Sequence, residues 1–213
     1  MANTIAPYGF RQWRRMDGGA PTAGFETLTI MSSDTSVIFT GDPVITLSSG
    51  PATGAAGFAP YVTGVSSGLS QVRGIFFGCE YYNNTVNRKV WSPYFPGSVA
   101  TSSGTADVQA WICTDPEMLY TVQVSCSVLN SSQVGLNVGY FSTSATAGNL
   151  TTGVSGIVLA STSTVTTNTL PFRFVDFYSN WAPPGSNGTD NTTAGQIVIV
   201  APNNFDRLQL TGV

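Results

Sequence analysis

The sequence predicts an all-β protein, a β-sandwich or distorted β-barrel with long loops and an extended N-terminal arm. Three observations predict it. Apolar residues recur with a period of two in short runs, and no sustained 3.6-residue period appears. The runs are separated by clusters of Gly, Pro, Asn, Asp, Ser and Thr, the residues that turn or interrupt a chain. Hydrophobic residues make up 42% of the chain and charged ones only 9%, so the apolar content suffices for a core although the charge is low. The length of 213 residues fits one large all-β domain or two small ones. Residues 1–24 read as the arm and residues 25–213 as the β domain, with a candidate subdomain boundary near 142.

Each element follows from its local pattern. Residues 1–24 hold Arg11, Arg14 and Arg15, the aromatics Tyr8, Phe10 and Trp13, and one acid, Asp17, without a sustained period. Asp17-Gly18-Gly19-Ala20-Pro21 then breaks the chain, so this stretch is expected to extend away from the packed sheets. Strands are expected over 25–30, 37–40 and 44–47, with Gly41-Asp42-Pro43 turning between the last two. Residues 48–59 read as a loop. Strands follow over 61–65 and 72–82, and Gly74 and Gly78 mark bulges or tight curvature in the second.

Residues 91–97, Trp-Ser-Pro-Tyr-Phe-Pro-Gly, read as an aromatic loop. Residues 107–113 alternate, and 119–127 alternate with Tyr120, Val122, Val124 and Cys126 on one face. Thr114-Asp115-Pro116-Glu117 between them is the best hairpin candidate. One helical turn is expected at 132–135, one strand at 156–160 between Ser/Thr/Gly-rich loops, and a strong alternating strand at 172–177. Residues 181–194 read as a long loop, 196–200 as a buried strand, and 206–213 as a last short strand.

The residues that usually perform catalysis are scarce. The chain has no histidine and one lysine, Lys89, so Ser-His-Asp and Cys-His arrangements are excluded. Asp115 and Glu117 are the closest acidic pair, and they flank a proline in a turn, where solvation or capping is their ordinary role. No phosphate loop or calcium loop pattern is present, and no cofactor or metal ligand set is expected. The reading is therefore of a non-enzymatic protein. Cys79, Cys113 and Cys126 sit in strand-like runs at no metal-ligand spacing and are expected to be buried free thiols, a Cys113–Cys126 bridge being the alternative. A net charge of −3 argues against a general nucleic-acid partner, and no run is long enough for a membrane-spanning helix. No basic segment followed by an apolar run opens the chain, so no signal peptide is expected.

Two groups of residues are candidates for binding. Tyr8, Phe10, Arg11, Trp13, Arg14 and Arg15 make a basic, aromatic stretch on an acidic protein, suited to docking on a separate, negatively charged surface or, folded back, to covering its own domain. Trp91, Tyr94 and Phe95 lie in a second aromatic cluster that could be core, subunit interface or a platform for a ligand.

Some of these runs carry a resemblance. Ala6-Pro7-Tyr8-Gly9-Phe10-Arg11 leads through Asp17-Gly18 to SSDTSVIFTGDPV at 32–44, followed by YVTG at 61–64, GIFFGCEY at 74–81 and DVQAWICTDPEMLYTVQV at 107–124. This order resembles small structural proteins of tailed bacteriophages, whose chains open on TPFGLRP and DG and continue with FIGDPV and ITGVVVGF. About half the chain is covered. The chain departs from the pattern in PYGFRQWRR and in its Ser/Thr-rich C-terminal half. The resemblance implies a capsid decoration (cement) protein, made in the host bacterial cytoplasm and placed on the outer capsid surface of the virion. Its implied partners are the major capsid protein and further copies of itself, as a homotrimer. A tail, fibre or head-completion component is the alternative structural reading. A carbohydrate-binding β-sandwich that uses Trp91, Tyr94 or Trp181 is another.

Overall fold

The structure, a computed structural model, describes residues 3–21, 24–31, 33–47, 61–64, 67–68, 71–83, 85–97, 108–125, 128–142, 148–160, 164–178 and 190–208. In chain order the strands are β1 (Arg11–Arg15), β2 (Phe25–Ile30), β3 (Ile38–Phe39), β4 (Pro43–Thr46), β5 (Val62–Gly64), β6 (Ser67–Gly68), β7 (Gly74–Asn83), β8 (Arg88–Ser92) and β9 (Tyr94–Phe95). They continue as β10 (Val108–Cys113), β11 (Met118–Gln123), β12 (Asn137–Val138), β13 (Tyr140–Ser142), β14 (Gly148–Asn149), β15 (Val154–Ser155), β16 (Ile157–Leu159), β17 (Phe172–Phe177) and β18 (Ile197–Pro202). Two single 3₁₀ turns, Ser131–Gln133 and Asp206–Leu208, are the helical elements among the described residues.

Two antiparallel sheets dominate. The first runs β1-β11-β18-β17-β12, and the second β2-β10-β7-β4-β5 with β8 also on β7. The long β7 serves two partners along one edge, β4 at Gly74 and Ile75 and β8 from Cys79 to Asn83. Two hydrophobic cores follow from the period-two alternation. Phe10, Tyr120, Val122, Phe172, Phe174, Val198 and Val200 fill the core under the first sheet. Leu28, Ile30, Ile38, Phe76, Phe95, Ala110 and Ile112 fill the other. Ile75 and Cys113 belong to the first core, while their neighbours Phe76 and Ile112 belong to the second. The second sheet is therefore a wall between the cores, because successive strand residues point to opposite faces. Opposite Trp111 and Ile112 the ladder shifts from Gly78 to Phe76, so Phe77 is an extra residue in β7, a bulge at the glycine-marked position.

Several sequence expectations change. The described residues of 1–24 do not form an arm clear of the sheets: Arg11–Arg15 is an edge strand paired with β11, and Phe10 has no exposed surface. The Phe10 ring stacks on Phe172 at 4.2 Å and meets Tyr120 and Tyr140 edge-on. Ahead of it, Asn3 exchanges hydrogen bonds with the Asp190 backbone, and buried Gln123 accepts from the Ala6 N–H and donates to the Thr4 carbonyl. The reason is geometric. Gly9, at φ +71°, lies where a Cβ would meet Ser155 at 2.6 Å and the Gly41 carbonyl at 2.7 Å, and the Phe10 N–H donates to that carbonyl. The glycines of Pro7-Tyr8-Gly9-Phe10 and Gly41-Asp42-Pro43 thus let two chain segments touch, a contact with no trace in local periodicity.

Thr114-Asp115-Pro116-Glu117 is not a hairpin. It takes the chain from β10 in the second sheet to β11 in the first, a corner between layers. Residues 91–97 end β8 and form β9, which pairs with β3. Residue 142 does not divide the fold, since β11 pairs with β18 and β13 with β16 across it. The strand expected at 206–213 is replaced over 206–208 by a 3₁₀ turn, and 209–213 lie outside the described residues, as do Cys126 and Trp181. Cys79 and Cys113 are buried free thiols. The Cys79 thiol is pushed up to about 12 by burial, which keeps it protonated and inert.

A candidate docking face

The outer face of the first sheet gathers most of the basic, aromatic N-terminal residues. Strand alternation sends Phe10 inward and Arg11, paired with Thr121, outward. A bulge between Gln12 and Arg14 adds Trp13 to the outer side, where it packs on Leu119, Ile199 and Ala201. On the far side of the sheet β17 also carries a register shift, between Phe174 and Asp176, and the intervening Val175 joins the same cluster with Tyr178. Trp13 and Tyr178 meet edge-on at 6.2 Å. Two bulges facing each other across β11 and β18 thus build a half-covered apolar patch on what would otherwise be a solvent face.

Arginines frame this patch. The Arg14 guanidinium lies 4.0 Å from the Trp13 ring centroid and the Arg11 guanidinium 4.6 Å from that of Tyr8. Burial pushes the Tyr8 hydroxyl up, against its hydrogen bond with Thr121 and the nearby Arg11 charge. Arg173 is exposed and paired in register with Ala201, so it stands on the same face. Among the described residues Arg15, Arg73, Arg207 and Lys89 form ion pairs, and Arg11, Arg14, Arg88 and Arg173 form none. Three of those four free cations therefore share one face, although the whole chain is acidic. Stacking holds a guanidinium plane against a ring and leaves its in-plane N–H donors open to a carboxylate.

The remaining predicted site residues separate. Phe10 is core. Arg15 turns to the interlayer corner, where Asp115 and Asp17 lie at 3.6 and 3.8 Å and Glu117 accepts a hydrogen bond from it. Asp115 and Glu117, the acidic pair of the sequence, are thereby engaged in holding that corner. Phe95 is fully buried in the second core, and half-buried Tyr94 stacks on Phe39. Trp91 is 63% exposed and lines a groove of about 370 Å³ with Phe25, Phe77, Gly78 and Trp111. Sequence reasoning missed Arg173, Val175 and Tyr178 on the docking face, and Phe25, Phe77 and Trp111 in the groove. Arg173 was within reach, because it is the charged outward position of a strongly alternating run.

Among the described residues no group of three His, Cys, Asp or Glu side chains could hold a metal ion. No helix among them is long and apolar enough to cross a membrane. Comparison with family models, with curated proteins and with solved structures finds no match to this chain.

Proposed function

We propose that this chain is a non-enzymatic virion structural protein of a tailed bacteriophage, a decoration protein that binds the outer surface of the shell built by the major capsid protein. The observation that supports it best is the outer face of the β1-β11-β18-β17 sheet. Its centre is apolar and aromatic (Trp13, Leu119, Ile199, Val175, Tyr178), and its border carries Arg11, Arg14 and Arg173, none of them in an ion pair among the described residues, against one exposed acid, Asp176, in register with Ile199. Buried aromatic anchors with surrounding arginines are the anatomy of protein–protein hot spots. The phage assignment rests on the sequence resemblance, and two of its motifs, PYGF and GDPV, meet in space where the Phe10 N–H donates to the Gly41 carbonyl, just ahead of the β1 strand on this face. An acidic patch on the shell is the complement such a face requires. Several copies, as a homotrimer, would bind the shell through many weak contacts acting together.

The test is binding to purified particles that lack the protein. The triple variant R11E/R14E/R173E should remain folded and lose occupancy, and wild-type binding should weaken as salt rises. Full occupancy by the triple variant overturns the proposal. Imaging of the particle distinguishes decoration, at hundreds of copies, from a tail or head-completion part at few.

A further inference from the structure

We infer that the aromatic groove on the second sheet is a carbohydrate-binding site, with Trp91 and Trp111 as stacking surfaces and Gln109, Glu80 and Thr29 as the hydrogen-bonding row beside them. The groove lies on the side of the second sheet that faces the first core at one end. There Ile75 and Cys113 are covered, and Phe77 packs against the same core. Farther along, the described side chains are more exposed. Phe25 is 37% exposed, Trp111 is half-buried and Trp91 is the most exposed of the large apolar residues described.

Register fixes what stands next to these rings. Trp111 pairs with Gly78 and with Thr27, Gln109 with Glu80 and with Thr29, and Glu80 with Trp91. Paired residues point to the same face, so Thr29, Gln109, Glu80 and Trp91 form one row across four strands. Adjacent members of such a row are about 4.8 Å apart, the scale of a single sugar ring. Gly78 completes the site by having no side chain: a Cβ there would stand 3.0 Å from Cζ2 of Trp91, so the indole lies across the glycine backbone. Phe25 and Phe77, with centroids 4.9 Å apart, close the opposite wall.

The chemistry on this face is two-sided. Four rings and a glycine make an apolar floor. Directly beside it are a hydroxyl, an amide and a carboxylate, and the Glu80 carboxylate pairs with Lys89 at 3.7 Å. A pyranose has the same division, an apolar C–H face and a rim of hydroxyls that both donate and accept. Thr29 and Gln109 offer both donor and acceptor atoms, and Glu80 accepts. The row is neutral apart from the Glu80–Lys89 pair, unlike the arginine-framed face of the first sheet, which suits a neutral polyhydroxyl ligand rather than an acidic one. The site deepens the Trp91 platform of the sequence reading and does not depend on the virion proposal.

The isolated full chain tests it. Titration with maltohexaose, cellohexaose, chitohexaose and a bacterial O-polysaccharide is followed by tryptophan fluorescence and by the indole N–H resonances of Trp91 and Trp111. At least one saccharide should saturate both signals. W91A should keep the fold, since that ring is mostly exposed, and should weaken binding about tenfold or more, as loss of an anchor ring does. Q109A should weaken the same saccharide several-fold with both tryptophans still present. Absence of any saturable response from all four saccharides overturns the inference, and so does a response unchanged in both variants. Burial of Trp91 that depends on protein concentration and not on saccharide would assign the groove to self-association instead. No particle is involved, so this outcome is separate from that of the capsid-binding test.

Discussion

The two sheets expose opposite kinds of face. On the first, β1 and β17 each insert one extra residue, Trp13 and Val175, and these cover the apolar positions of β11 and β18. What remains for solvent is a partly sealed patch with arginines around it. On the second, β7 inserts Phe77 and has a glycine beside it, and the rings of Trp91 and Trp111 are left lining an open groove. A bulge closes one face and opens the other. The difference lies in the neighbour at each bulge: a large side chain of the adjoining strand to cover in one case, a bare backbone at Gly78 in the other. Charge follows the same division, with unpaired cations on the first face and a paired Glu80–Lys89 on the second.

The underside of β1 gives the largest expected effect. Phe10→Ala should destabilise the fold by about 3–5 kcal/mol, because a fully enclosed ring in contact with three others is removed. Removal of residues 1–15 should abolish cooperative unfolding altogether. A denaturation midpoint left unchanged by the truncation would restore the picture of a detachable arm. On the outer side of these strands, R11E/R14E/R173E should shift stability by about 1–2 kcal/mol, from three exposed charge reversals and the loss of two guanidinium–ring contacts, which leaves the fold intact, so that any loss of particle binding is read as loss of the face itself.

Asp42 lies at the seam where β3 turns into β4, and its effect is set by pH. It is 3% exposed, its carboxylate accepts from the Phe39 N–H at 2.7 Å, and burial pushes it up to about 7 from 3.8. The folded state therefore holds a proton that the unfolded chain gives up above pH 3.8. That contribution to stability is complete below pH 3.8 and is lost as pH rises through about 7. Asp42→Asn keeps an acceptor for Phe39 without a charge. Its stability should gain on the wild type steadily between pH 4 and pH 7, measured by urea denaturation across that range. Parallel pH profiles for the two proteins would count against a proton held at Asp42.

The smallest effect sharpens the contrast between the faces. Gly78→Ala should cost about 1 kcal/mol, because the added methyl meets Trp91 and the Ser92 carbonyl at close to 3 Å and the strand must yield. Tryptophan emission should shift as the indole moves off the backbone. Emission identical to wild type would mean that the glycine is not what positions that ring.

The sequence by itself determined the class and much of the strand list. Phe25–Ile30 and Phe172–Phe177 fall where alternation put them, and Tyr120 and Val122 of β11, with Val124 just after it, point inward as their period predicts. Alternation is a local property, since strand geometry alone sends neighbours to opposite faces. Period and composition could not say which sheet a strand joins. Asp115-Pro116 reads as a hairpin turn in either case, and only β18 and β7, far away in sequence, draw its two flanking strands into different layers. The N-terminal stretch failed for the same reason. Its period is broken by the bulge at Trp13, and its anchor is a long-range contact between Gly9 and Gly41. Of the candidate residues, Arg11, Trp13 and Arg14 were legible as a basic, aromatic group. Their union with Arg173, Val175 and Tyr178 was decided by the tertiary structure, because a sheet face is assembled from strands whose order along the chain leaves no local mark.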